Sequence, residues 1–160
     1  MVPISDYLTR GWRGDLVAGL DIADTERFEA PDEGVVVVCG GPAYEAETAP
    51  DLGERLNRAR ENGCVIAGIC GGTIALARAG LLEEVQHTSN GPEYLGQFAK
   101  AYKGSANYVE QPMALRDGDI ITAAAPMPAS FAMEVLIAAG LDKKKAAEIP
   151  AMLSIEHKAG

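Results

Sequence analysis

The sequence predicts an α/β fold in which a mostly parallel sheet is wound with helices on both faces. Two continuous apolar runs, Val35–Val38 and residues 64–69, have the composition of strands that are buried on both faces. Each run is followed by a stretch with helical spacing, and such alternation is typical of parallel sheets. The Asp117-Gly118 pair between two later apolar runs predicts an antiparallel hairpin near the C-terminus.

The elements follow one another in a regular order. A helix is expected over residues 51–62, where Leu52, Leu56 and Ala59 share one face and a glycine lies just past the end. The second apolar run leads into another helix over residues 73–79. The remaining elements are a short strand, a helix, the two hairpin strands and a last core helix, at residues 85–89, 93–102, 108–115, 119–123 and 130–139.

Length and composition fit one globular domain over residues 1–160, with a mixed N-terminal part (1–34), a core (35–140) and a charged tail (141–160). The net charge of −9 makes nucleic acid or an anionic membrane a poor partner. No apolar run approaches the ~20 residues that span a bilayer. Three cysteines without tight spacing favour a reducing, cytoplasmic setting, and with two distant histidines they form no metal-ligand set.

The most informative motif is Gly68-Ile69-Cys70-Gly71-Gly72-Thr73, which lies between a predicted buried strand and a helix. It is the cysteine counterpart of the Gly-x-Ser-x-Gly nucleophile elbow, whose glycines avoid collisions around a strained turn. The turn exposes the sulfur at the carboxyl end of the sheet, and the helix N-terminus favours the thiolate and offers N–H groups to a developing oxyanion. The alternative is that Cys70 is a small buried residue at a tight turn.

Further candidate residues surround the elbow. Cys39-Gly40-Gly41 ends the preceding strand, so a backbone N–H of Gly40 or Gly41 would complete an oxyanion pocket, unless the glycines are a simple strand exit. Cys39 is also a candidate resolving thiol for an oxidised Cys70. His87 is the candidate base, against the alternative of a surface or packing histidine. Three more residues are candidates for the pocket: Tyr44, Thr73 and Asn90.

These segments resemble the ThiJ/PfpI family, whose members have the flavodoxin-like α/β fold of the class I glutamine amidotransferases. The resemblance covers residues 12–140, and the matching segments are residues 35–41, 67–73, 79–82, 87–95 and 117–123. It implies a cofactor-free, commonly homodimeric, cysteine-dependent protein. Cys70 takes the nucleophile position, and Gly41 and Gly71 take the positions whose N–H groups face it. Members are variously described as hydrolases, hydratases, glyoxalase- or deglycase-like enzymes, stress proteins and peptidases.

Two features depart from the family pattern. The family usually begins with a strand and a helix that carry an acidic residue hydrogen-bonded to the cysteine. Residues 1–34 show no counterpart, so this part is expected to be incomplete and no acidic partner is assigned to Cys70. The family's first matching strand usually ends in Pro-Gly-Gly, where this chain has Cys39-Gly40-Gly41.

Two functional hypotheses follow. In the first, the Cys70 thiolate attacks a carbonyl or amide carbon of a small molecule, Gly41 and Gly71 hold the oxyanion, and His87 or water carries the proton. In the second, the protein is a non-catalytic redox or stress-response protein in which Cys70 is an oxidation sensor. A glutaminase is disfavoured because no late His-x-Glu is present. A dinucleotide site is disfavoured because Gly71-Gly72 lacks the third glycine.

Overall fold

A computed structural model describes residues 28–151, so most of the predicted N-terminal part and the end of the predicted tail lie outside the described residues. The described chain contains a four-stranded sheet with the strands β1 (Val35–Val38), β2 (Val65–Ile69), β3 (Leu115–Asp117) and β4 (Ile120–Ala123). Their order in the sheet is β1-β2-β4-β3. Strands β1, β2 and β4 run parallel, and β3 pairs antiparallel with β4. The predicted α/β fold with a mostly parallel sheet and a late hairpin is confirmed.

Helices connect the strands and follow the hairpin. They are α1 (Gly53–Glu61), α2 (Gly72–Arg78), α3 (Tyr94–Phe98), α4 (Pro128–Ala138) and α5 (Lys143–Ala146), with 3-10 turns at Pro42–Glu45 and Gly104–Asn107. The predicted helices over 51–62, 73–79 and 130–139 are therefore present with slightly shifted ends. Part of the predicted tail is also helical, because Asp142 caps α5 and Ala146 is completely buried.

Alternating strand residues build two cores on opposite faces of the sheet. On one face, Val36 and Ile66 pack with Leu56 of α1 and Ile74 of α2. On the other face, inner-strand residues pack against Phe131 of α4. This alternation follows from the two-residue period of a strand, and it confirms the prediction of helices on both faces.

The chain between α2 and β3 differs from the sequence prediction. The expected strand over 85–89 is a single parallel bridge between His87 and Tyr108, because side chains of the hairpin take up neighbouring N–H groups. Asp117 accepts from the N–H of Gln86, and Thr122 accepts from that of Thr88. The helix expected over 93–102 is shorter and ends at Phe98. The strand expected over 108–115 reaches only from Leu115 to Asp117, downstream of a proline that cannot donate to a ladder.

The carboxyl ends of β1, β2 and β4 lie side by side, so the connections that leave them meet at one edge of the sheet. These connections begin at Cys39, Cys70 and Ala124. Over residues 28–151, none of the helices has the length and apolar character needed to cross a lipid bilayer.

Candidate active site

The backbone of Cys70 has a conformation that L-amino acids rarely adopt. Its φ is 54°, and it is the only non-glycine residue with a positive φ between residues 28 and 151. The turn is held from both directions: the Cys70 N–H donates to the Ala123 carbonyl at 3.0 Å, and the Cys70 carbonyl accepts from the Thr73 hydroxyl at 2.6 Å. Cys70 therefore sits in a strained strand-to-helix turn of the kind that the motif predicts.

The glycines around Cys70 allow the exits of β1 and β2 to pack backbone against backbone. A Cβ on Gly72 would overlap the Val38 carbonyl oxygen, and one on Gly71 would overlap the Gly41 carbonyl oxygen. A Cβ on Gly40 would lie 2.6 Å from the Cβ of Cys70. Glycine is therefore required at these positions because no side-chain carbon fits between the two segments.

The two predicted oxyanion groups lie on facing backbones. The close approach of Gly41 and Gly71 brings their peptide units together beside the elbow. Over residues 28–151, neither N–H donates a hydrogen bond to another backbone group. Two backbone donors next to a partly exposed sulfur are the elements from which an oxyanion site is built.

The side chain of Asn90 contacts the sulfur. Its Nδ2 lies 3.5 Å from Cys70 Sγ, while its Oδ1 accepts a hydrogen bond of 2.9 Å from the Ala125 N–H. Because Oδ1 must face a donor, the amide nitrogen is the end that points toward the sulfur. The structure thus places this predicted pocket residue against Cys70.

Tyr94 and Glu45 extend this contact. The Tyr94 hydroxyl donates a 2.9 Å hydrogen bond to the Glu45 carboxylate. Burial, together with Glu45, raises the pKa of Tyr94 to about 12, and a hydrogen bond from Asn90 acts in the opposite direction. No sequence pattern identified either residue as part of the site. Tyr94 lies within the matching segment 87–95, but no pattern in the sequence joins it to Glu45.

His87 is turned to other partners. The side chain is completely buried, with Nδ1 2.8 Å from the Val85 carbonyl oxygen and Nε2 2.6 Å from the Tyr102 hydroxyl. Its ring also meets Tyr102 and Tyr108 edge to face. Burial lowers the pKa of His87, so the neutral ring is favoured. Within the described chain, no hydrogen bond joins His87 to Cys70, and this geometry matches the alternative of a packing histidine.

The other predicted residues divide between the site and the core. Tyr44 is buried in the larger core, and Thr73 is buried with its hydroxyl 2.7 Å from that of Ser89. Cys39 and Gly40 are exposed at the exit of β1. Cys39, Cys64 and Cys70 are all free thiols. In the described part of the chain, no three side chains of His, Cys, Asp or Glu converge as metal ligands would.

The sequence and the fold have relatives among known proteins. A sequence model of the DJ-1/PfpI family matches residues 18–138. Two relatives come from Bacillus subtilis. The protein named uncharacterized protease YoaZ is 33% identical over 102 residues, covering 64% of this chain and 48% of the relative. The protein named uncharacterized protease YdeA is 31% identical over 109 residues, covering 68% and 54%. The chain therefore spans about half the length of these relatives.

A solved structure gives the same result for the fold. A DJ-1 superfamily protein from Agrobacterium tumefaciens superimposes with a TM-score of 0.72 and 37% sequence identity. The superposition covers 81% of this chain and 69% of the other.

Proposed function

The chain belongs to the DJ-1/PfpI family, as the residues around the elbow predicted, and on that premise we propose that it is a cysteine-dependent enzyme that acts on a small carbonyl or amide compound. The observation that carries the proposal is the backbone of Cys70, which keeps a φ of 54°. A strained residue persists only where its surroundings hold it in place, and such residues cluster at active sites. Here the strained turn holds a partly exposed sulfur beside Gly41 and Gly71, whose N–H groups donate to no other backbone group within residues 28–151.

The proposed reaction begins with attack of the Cys70 thiolate on an electrophilic carbon. The C–S bond forms while the π electron pair of the carbonyl moves to its oxygen, which the N–H groups of Gly41 and Gly71 stabilise. With an aldehyde, water protonates this oxygen to give a hemithioacetal. With an amide, the C–N bond breaks, the amine leaves with a proton from water, and a second water hydrolyses the thioester. Water is the proton carrier because both ring nitrogens of His87 are already engaged.

The test is the replacement of Cys70. We expect Cys70→Ala to abolish turnover of methylglyoxal-type aldehydes and small amides while the melting temperature stays close to that of the wild type. Cys64→Ala is a matched control, because it removes the same atom from a buried site immediately before β2. Full activity of Cys70→Ala would exclude the proposal.

Amides are the first substrate class to examine. Both Bacillus subtilis relatives carry the name protease, which is consistent with attack on an amide carbon. A panel of chromogenic amino-acid amides, measured beside a panel of 2-oxoaldehydes, would separate hydrolase from glyoxalase- or hydratase-like chemistry. The preferred panel is the one whose turnover depends on Cys70.

The alternative function is that of an oxidation sensor, and the surroundings of the sulfur support it too. A thiolate that attacks hydrogen peroxide becomes a sulfenate with release of water, and a second peroxide converts this to a sulfinate. The amide of Asn90 and the N–H groups of Gly41 and Gly71 are suitable donors to sulfinate oxygens. Mass spectrometry after dilute peroxide would favour a sensor if oxygen adds selectively at Cys70. Equal modification of all three cysteines would count against it.

The proposal also includes a second copy of the chain as partner and a cytoplasmic location. Met113 and Leu136 are large apolar side chains that remain exposed, with 55% and 41% of their surface accessible. Burial of such side chains between two copies would stabilise a homodimer. Light scattering on the purified chain would measure its mass in solution directly.

A further inference from the structure

We propose that Glu45 and Tyr94 form a positioning pair that holds the amide of Asn90 against the Cys70 sulfur. Two contacts carry the pair: Asn90 donates to the sulfur at 3.5 Å, and the Tyr94 hydroxyl donates to the Glu45 carboxylate at 2.9 Å. In the proposed arrangement the second hydrogen of the Asn90 amide joins them by donating to the Tyr94 oxygen. The inference rests on the proposed role of Cys70 as nucleophile. It adds two residues whose function would be to keep the sulfur in its reactive form.

The oxygen end of the Asn90 amide is already fixed. Its Oδ1 accepts from the Ala125 N–H at 2.9 Å, which ties the side chain to the exit of β4. The two hydrogens on Nδ2 are then left for the sulfur and for Tyr94. A primary amide has two donor hydrogens, so both can be used at the same time.

The Tyr94 hydroxyl has a fixed direction because it donates a hydrogen bond to the Glu45 carboxylate. With its hydrogen committed to the carboxylate, the phenol oxygen is free to accept from Asn90. The pKa of Tyr94, raised to about 12 mainly by burial, keeps this proton in place throughout the neutral range. The Tyr94 hydroxyl therefore remains a donor to Glu45 and an acceptor for Asn90 throughout the neutral pH range.

The segments that carry the pair are joined by a separate set of contacts. Arg78 of α2 donates to the Ala46 carbonyl at 3.2 Å and to the Phe98 carbonyl at 2.9 Å. It therefore connects the residue after Glu45 to the end of the helix that begins with Tyr94. The rings of Tyr94 and Phe98 also meet edge to face, with their centres 5.2 Å apart. The hydroxyl and the carboxylate are thus brought together by structure outside the site.

A neutral amide suits this role because it donates to a thiolate without competing for its proton. Hydrogen bonds to an ionised acceptor are stronger than those to a neutral one, so the donor favours the thiolate over the thiol. Within the described residues, Tyr94 is the titratable group that interacts with the sulfur, Glu45 accepts from the Tyr94 hydroxyl, and Cys39 lies at the neighbouring strand exit. His87 faces Val85 and Tyr102 instead.

The experiment measures the reactivity of the sulfur rather than turnover. The rate of Cys70 alkylation by iodoacetamide is followed by peptide mass spectrometry on the full chain between about pH 5 and 9. We expect Tyr94→Phe to lower the rate at neutral pH about fivefold and to move the midpoint of the profile to higher pH. Asn90→Asp keeps the oxygen that Ala125 needs but places a carboxylate at the sulfur, so we expect a loss of about tenfold or more.

Tyr102→Phe is the matched control. It removes a hydroxyl from another half-buried tyrosine, whose partner is His87, and we expect its alkylation profile to match the wild type. Glu45→Gln covers the case in which Tyr94→Phe fails to fold. Glu45 is exposed, and the glutamine keeps an acceptor oxygen while removing the charge, so a smaller upward shift is expected.

Two results would overturn the inference: wild-type profiles for both Tyr94→Phe and Glu45→Gln, or a shift in Tyr102→Phe as large as that in Tyr94→Phe. Failure of the proposed function looks different. If Cys70→Ala retained turnover, the enzyme proposal would fall, while the alkylation profiles would still decide whether the pair controls the sulfur.

Discussion

Two polar clusters in the molecule have opposite properties. The segment between Val85 and Tyr94 contributes residues to both of them. The sulfur cluster consists of Cys70, Asn90, Tyr94 and Glu45, and the histidine cluster consists of His87, Val85, Tyr102 and Tyr108. Each contains a tyrosine hydroxyl that is hydrogen-bonded to an ionisable side chain. The histidine cluster surrounds a completely buried ring with both nitrogens engaged. The sulfur is partly exposed, beside backbone N–H groups that make no backbone hydrogen bond within the described residues. The comparison teaches that a satisfied polar cluster serves stability, and an open one is available for chemistry.

The strongest test of the sulfur cluster is the removal of the close backbone approach beneath it. Gly72→Ala would drive a methyl group into the Val38 carbonyl, so we expect the variant to lose more than about 3 kcal/mol of unfolding free energy or not to fold. Gly41→Ala is the control, because its Cβ would have no heavy atom within 4 Å. Urea denaturation compares the two. Equal stability of both variants would show that the strand exits do not pack as described.

The second test exchanges the central residue of each cluster. His87→Leu leaves the Tyr102 hydroxyl and the Val85 carbonyl without their partner, so we expect a loss of about 3 kcal/mol. Cys70→Ser at the partly exposed elbow should change stability by less than about 1 kcal/mol. Urea denaturation should therefore rank His87 far above Cys70, while Cys70 alone controls turnover. The reverse ranking would contradict the division between the clusters.

The third test weakens the support of the sulfur cluster from outside. Arg78→Met removes the hydrogen bonds to the Ala46 and Phe98 carbonyls, so we expect a loss of about 1–2 kcal/mol. The alkylation midpoint of Cys70 should also rise, by less than in Tyr94→Phe. Arg58→Met, which breaks only an exposed pair with Glu54, serves as control and should leave both measurements unchanged.

The smallest expected effect is the pH dependence of the histidine cluster. The folded-state pKa of His87 is lowered by burial from the ordinary value of 6.5, so the unfolded chain binds more protons at mildly acidic pH. The stabilisation that comes from the neutral His87 ring should be complete above its ordinary pKa of 6.5. It should be lost as the pH falls from there toward the lowered pKa of the folded state. In His87→Gln the contribution of this residue to the slope of unfolding free energy against pH should vanish. Urea denaturation at several pH values would measure that slope. An unchanged slope would mean that His87 does not titrate between the two states.

The parts of the molecule that the sequence predicts well are those set by local pattern. The run Val35–Val38 becomes a strand because β-branched residues fit a sheet that is covered on both faces, and the glycines around Cys70 permit only a tight turn. The antiparallel turn at Gly118 follows from its positive φ of 58°. In each case the deciding contacts lie within a few residues or between regularly spaced strands.

The partners of the ionisable groups could not be predicted, because they depend on side-chain direction after long connections. The position of His87 on the segment that follows the elbow helix suggests a base for Cys70. In the structure this segment forms a bridge to Tyr108, and the ring of His87 contacts Tyr102 instead. Glu45 and Tyr94 stand 49 residues apart and belong to no shared motif. Tertiary structure brings them together, because Arg78 of α2 binds the carbonyls of both Ala46 and Phe98, and no periodicity in the sequence records these contacts.

The hydrogen bond from Ala125 to Asn90 has a consequence for mutagenesis. Ala125 would direct the orientation of the Asn90 side-chain amide through its main-chain N–H, while its own side chain is a single methyl group. A scan that truncates side chains would pass over it entirely, and most replacements would leave its N–H intact. Proline is the one substitution that deletes this donor, so a proline scan would find a control point that alanine cannot reveal.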